Sequence, residues 1–153
     1  MKRNKTLIPL SHDHHHGLLL AQMLRKNALE YRTLPNLPDQ KAKYAIDFFY
    51  SDLIKHFRLE EDILYPFVKG LDRSLDEMFI EIISEHKKIE EYINKLKNNN
   101  EIIEIIDIMD TLGKLLESHI RKEEKIVFPK IELVLGEEKL RQLDVEILRK
   151  SNH

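Results

Sequence analysis

Apolar residues recur at three- and four-residue steps through most of the chain, the period of helices that bury one face. The first run begins near Ser11 and extends to about Arg32. The stretch Thr33-Leu-Pro-Asn-Leu-Pro holds two prolines and reads as a connection, because proline cannot continue a helix. A second run, with Asp39 as its cap, sets Ile46, Phe49, Leu53, Phe57, Ile63, Leu64 and Phe67 on one stripe and stops at Gly70. The third opens at Asp72 or at a Ser74/Glu77 capping box and carries Phe79, Ile82, Ile83, Ile89, Ile93 and Leu96. Asn98-Asn-Asn is a turn, with Asn100 as the cap of a fourth run through Ile105, Ile108, Leu112, Leu115, Leu116, Ile120 and Ile126. After Gly136 a shorter helix, about Glu137 to Arg149, turns Leu140, Leu143, Ile147 and Leu148 to one side. Long helices with short links predict an all-α, up-down four-helix bundle over about residues 11–130, with the short helix appended, as a single domain across 1–153.

Ionisable residues interrupt these stripes where a core should be. The second helix reads Phe49, Leu53, His56, Glu60, Ile63, and the fourth reads Leu112, Leu116, His119, Glu123, Ile126. The third carries His86 between Ile82 and Ile89. A buried carboxylate without a partner costs several kcal/mol, on the order of 1–3 kcal/mol even by lenient scales, so Glu60 and Glu123 require a strong counter-charge. His56/Glu60 and His119/Glu123 belong to a repeated phrase, HFRLEEDILYP at 56–66 and HIRKEEKIVFP at 119–129, related by a shift of 63 positions. A His and a Glu four apart on a helix share one face, so each phrase presents an imidazole and a carboxylate to one ion.

In the first helix His12, His14, His15 and His16 crowd the start. Following the period back from Tyr31 through Ala28, Leu24, Ala21 and Gly17 reaches His14, with His15 toward solvent and His16 on the Leu20/Met23 side. The choice among His14, His15 and His16 is open at this level. Glu61 and Glu124 fall beside the stripes, as solvated groups or partners of the histidines. Arg58 and Arg121 belong to the surface, Tyr65 and Phe128 to the core, and Glu90 makes a third His-x3-Glu with His86, near its stripe but without a duplicate.

Composition narrows the chemistry. Twenty-five basic and 27 acidic residues leave a formal charge of −2 without a basic stripe, which argues against nucleic acid or an anionic membrane as partner. No cysteine is present, so disulfides, thiol redox chemistry and iron–sulfur ligation are excluded, and a reducing cytoplasm is the expected location. The charged start Met1-Lys-Arg-Asn-Lys resembles that of a signal peptide, but Pro9 and the His-Asp cluster break the apolar stretch behind it and no small-residue cleavage site follows. Imidazole and carboxylate donors suit iron, manganese or zinc, and six of them suit two ions better than one closed zinc site.

The set His14, His56-x3-Glu60, His86, His119-x3-Glu123, with the doubled HxxxEExxxxP phrase, resembles the hemerythrin-like, HHE cation-binding domain over roughly residues 7–130. The resemblance implies a four-helix bundle with a non-haem di-iron centre, the histidines completing each iron and Glu60 and Glu123 bridging them, often with an oxo or hydroxo bridge. It also implies oxygen, nitric oxide or iron handling, with a small diatomic molecule as ligand. Two departures stand out. Oxygen carriers of the family have a second His one turn before His86, where this chain has Ile82; iron–sulfur repair members carry a Cys-containing amino-terminal segment, which is missing here. A di-iron oxidase or peroxidase, or a helical interaction protein without metal, are the competing classes; the His-rich set with a spacing of four leans away from ferritin-like oxidases.

Overall fold

The computed structural model describes residues 3–30 and 32–151, the side chain of Ser151 excepted. Met1, Lys2 and Tyr31, which entered the reading of the chain start and the phasing of the first helix, lie outside the described residues. Helix α1 is Ile8–Met23. Helix α2 spans 38–68 as Pro38–Phe48, a π-helical turn Phe49–Leu53, Ile54–Leu59, a second π turn Glu60–Leu64, and Tyr65–Val68. Helix α3 is Arg73–Lys97. Helix α4 starts as Ile102–Lys122, passes through a π turn Glu123–Val127 and continues into Phe128–Ser151, which is broken at Gly136 (φ 73°, ψ 172°). We take α4 as 102–135 and α5 as 137–151. Among the described residues there is no strand, and no helix is long and apolar enough to cross a membrane.

The bundle runs up and down around two apolar clusters. One joins the C-terminal end of α1 (Leu20, Leu24) to the start of α2 (Ala45, Phe49), the end of α3 (Ile89, Ile93) and the first half of α4 (Leu112, Leu116). The other joins the opposite ends, through Leu10, Leu64, Phe79 and Phe128, and is covered by Leu140, Leu143 and Ile147 of α5. Neighbouring helices thus contribute opposite ends to each cluster, the mark of antiparallel packing. Between the clusters lies a layer of buried histidine and glutamate.

Several element ends differ from the sequence expectation. Helix α1 begins three residues before Ser11, with Pro9 in its first turn where a missing N–H costs nothing, and it ends at Met23 rather than Arg32. Beyond Met23 the Asp110 carboxylate of α4 accepts from Lys26 N (2.9 Å) and Arg25 Nε (3.0 Å), tying the departing chain to α4. Pro38 opens α2 with Leu37 at the cap position, so Asp39 sits in the first turn, favourable to the helix dipole but not the cap. Asp72 wins the α3 cap by accepting from Leu75 N (2.9 Å), while Ser74 Oγ accepts from Lys130. Asn99, not Asn100, supports the start of α4 by accepting from Glu101 N.

The π turns change which residues face inward. Each contains one extra residue per turn, so the stripe advances by one position. Leu64 is buried as expected, but its neighbour Ile63 is only partly buried, Val68 is buried in place of Phe67, and Val127 is buried while Ile126 is 51 % exposed. Leu148 is likewise exposed, on the outer side of α5. The wide turns lie just ahead of Pro66 and Pro129, and they relieve the clash that a proline ring makes with the preceding turn of an α-helix.

Candidate metal centre

Six side chains meet in the polar layer: His14 from α1, His56 and Glu60 from α2, His86 from α3, and His119 and Glu123 from α4, all buried. The helical period places each at an inward position, and the π turns begin at Glu60 and Glu123 themselves. His14 is therefore the histidine of the opening cluster that points inward; His12, His15 and His16 are exposed on the outer face of α1. The ligand atoms form two groups, each within 4.8 Å: His14, His56, Glu60 and Glu123 in one, and Glu60, His86, His119 and Glu123 in the other. Both glutamates belong to both groups.

An outer ring of carboxylates fixes the imidazoles. His14 Nδ1 donates to Glu124 Oε1 (2.7 Å), His56 Nδ1 to Asp13 Oδ2 (3.0 Å), His86 Nδ1 to Glu61 Oε2 (2.8 Å) and His119 Nδ1 to Glu85 Oε1 (2.7 Å). A carboxylate only accepts, so each Nδ1 carries its proton, and a ring that is neutral turns a bare Nε2 lone pair inward. Glu61 and Glu124 are thus partners of histidines on neighbouring helices. Asp13 and Glu85 escaped the sequence reading, although the signal was present: an acidic residue directly precedes both His14 and His86.

With neutral rings, the inner contacts set acceptor against acceptor. His14 Nε2 and His56 Nε2 are 3.0 Å apart, and His86 Nε2 is 3.1 Å from Glu60 Oε1. His119 Nε2 lies 2.7 Å from Glu123 Oε1 without hydrogen-bond geometry. Glu60 Oε2 and both Glu123 oxygens are buried with no hydrogen-bond partner. Lone pairs held this close in a dry interior need cations between them, and with protons alone the strain shows in the titration. Burial opposes charge on His56, but the Glu60 carboxylate and Asp13 outweigh it and raise its pKa to about 9. Burial likewise raises Glu60, yet the charge and hydrogen bonds of His56 and His86 hold it well below the usual carboxylate range. Burial lowers His119. The donor set, its orientation and its unpaired oxygens all fit metal cations better than protons.

The surroundings are apolar and aromatic. Phe57 stacks on His86 (centroids 3.8 Å apart, planes at 12°) and Phe128 on His14 (5.2 Å, 16°). Ile82, one turn before His86, is fully buried and supplies no ligand. Tyr65 stacks on Phe79 away from the centre. Arg58 and Arg121 are exposed, as expected, Glu90 is exposed too, and Arg121 pairs with Glu117. On one side, the outer edges of His56 and Asp13 line a cleft of about 610 Å³, which Lys55, Arg58 and Lys150 also border.

Comparison with known proteins agrees with this geometry. No curated protein and no solved structure matches the chain. The family model of the hemerythrin HHE cation binding domain matches residues 8–131, from the first residue of α1 to within the last turns of α4. The stretch holds every residue of the polar layer and of the carboxylate ring around it, and the chain belongs to the hemerythrin HHE cation-binding family.

Proposed function

We propose that the chain binds two non-haem iron ions through His14, His56, Glu60, His86, His119 and Glu123, and that it binds or senses a small diatomic ligand, oxygen or nitric oxide, in the cytoplasm. The observation that carries this reading is the sharing of Glu60 and Glu123 between the two ligand groups, which suits a carboxylate-bridged pair. Iron held there supplies redox-active coordination positions for a diatomic molecule. The chain's own residues do the rest. The four carboxylates on Nδ1 hold the rings in one tautomer, Phe57, Phe128 and Ile82 keep bulk water from the layer, and the cleft beside His56 and Asp13 brings solvent-borne molecules to its edge. The apolar Ile82, in place of a further imidazole, favours sensing or iron handling over reversible carriage.

The test is metal analysis of protein produced with supplied iron, with a visible spectrum before and after exposure to oxygen and to nitric oxide. Two irons per chain and a spectrum that responds to either gas are expected. Iron-replete preparations that hold no iron would end the di-iron reading. Sustained turnover of peroxide with a reductant would instead make the centre that of an oxidase or peroxidase.

A further inference from the structure

We propose a second cation site on the outside of α1, formed by His12 and His16, for a divalent ion that favours imidazole, such as zinc, nickel or copper(II). The two residues are four apart on a helix and both are exposed, so their rings rise side by side from one face. Their Nε2 atoms lie 3.4 Å apart, and the rings are edge-on at 89° with centroids 4.9 Å apart. Two nitrogens at about 2.0–2.1 Å from one tetrahedral zinc stand about 3.4 Å from each other, so the pair is already at chelating separation. As a direct imidazole–imidazole hydrogen bond, 3.4 Å is long.

The backbone that carries the pair is fixed from the opposite face. Leu10, His14 and Gly17 of the same turns are buried, and the ring of His14 is held by Glu124 and Phe128. Only side-chain rotations are left to order when an ion binds, which keeps the entropic cost low. Two protein ligands leave the remaining positions to water, so the site is exchangeable, weaker than the buried centre, and selective against magnesium or calcium, which demand oxygen donors. His15 points elsewhere, its ring 6.0 Å from that of His16, and takes no part.

The site is independent of the identity of the buried metal. The full chain, its buried centre loaded and freed of loose metal by desalting, is titrated calorimetrically with zinc, and separately with magnesium. One additional zinc equivalent per chain is expected in the wild type and in His15→Ala, with no magnesium response. That equivalent is lost in His12→Ala and in His16→Ala, while the tightly held metal that survives desalting stays equal in all four proteins. Absence of the extra equivalent in the wild type, its persistence in His12→Ala or His16→Ala, or its loss in His15→Ala would overturn the assignment.

Discussion

The bundle is built from two halves of like design, α1–α2 and α3–α4, and they are stiffened differently. In each, an acidic residue precedes an inward histidine (Asp13-His14, Glu85-His86) and a following helix carries the His-x3-Glu-Glu phrase. Asp13 holds His56 within the first half, and Glu85 holds His119 within the second; Glu61 and Glu124 reach across to the other half. The difference lies behind these carboxylates. Glu85 is 14 % exposed and gripped by Lys122 Nζ at 2.6 Å, whereas Asp13 is 55 % exposed and borders the cleft. Glu124 is gripped by Arg3, whose guanidinium also lies 5.5 Å over Phe128. The walls differ too. Where α1 meets α4, Gly113 brings the backbones together, and a Cβ there would lie 2.6 Å from the Ala21 carbonyl oxygen. Where α2 meets α3, the ring of Phe57 fills the space against His86. Equal ligands can thus rest on unequal supports, a firm one along α4 and a yielding one along the cleft.

The largest effect belongs to what the halves share. Glu60→Ala and Glu123→Ala each remove a carboxylate common to both ligand groups, so either variant should lose most of its bound metal while remaining helical, measured by metal content and circular dichroism. Full metal content in one of them would show that the halves do not share their ions equally.

Protonation offers a second way to break the symmetry. In metal-free protein His56 titrates near 9, above its unfolded value, so the stability it contributes is complete below about pH 6.5 and is lost as pH rises toward 9. With metal bound the sign reverses, because protons compete for the imidazoles and stability falls on acidification below about pH 6. Thermal unfolding of both forms from pH 5 to pH 9.5 should give curves of opposite slope, and His56→Gln should flatten the metal-free curve more than His119→Gln does. Parallel curves for the two forms would discard this account.

These expectations also mark what the sequence could and could not disclose. The inward placement of His56, Glu60, His86, His119 and Glu123 was legible, because a His or Glu on an apolar stripe is conspicuous and the phrase occurs twice, whereas the opening cluster left His14, His15 and His16 open. The register beyond Glu60 and Glu123 was not: a steady three-four count selects Phe67 and Ile126, and only a π turn selects Val68 and Val127. Nothing local to residues 24–32 signals the early end of α1 either, since the Asp110 carboxylate that ties Arg25 and Lys26 to α4 is distant in sequence. Asp13 and Glu85 left only one local mark, an acidic residue directly ahead of an inward histidine. Their roles depend on which helix stands next to which, not on their own helix's period.

Gly113→Ala tests the firm wall. The added methyl meets backbone rather than a yielding side chain tip, so a loss of about 1–3 kcal/mol in unfolding free energy is expected from chemical denaturation. An unchanged denaturation midpoint would mean that α1 can shift away from α4 without cost. The smallest effects should separate the supports themselves. Glu85→Ala is expected to weaken metal affinity by about 10–100-fold, at the level typical for partners of metal-bound histidine. Asp13→Ala should cost less, since an exposed carboxylate is readily replaced by water, and Arg3→Ala least of all because Glu124 keeps its bond to His14. Competition against a chromophoric chelator would rank them; Asp13→Ala exceeding Glu85→Ala would invert the comparison.

The polar layer has one more consequence, for how the protein comes apart. Two apolar clusters are separated by a buried layer of histidine and glutamate in which Glu60 Oε2 and both Glu123 oxygens have no hydrogen-bond partner. Such a seam is a plane of weak cooperativity, across which amide hydrogens on either side can open independently. Metal welds the seam, so the same chain should exchange its amides as two blocks when stripped and as one when loaded.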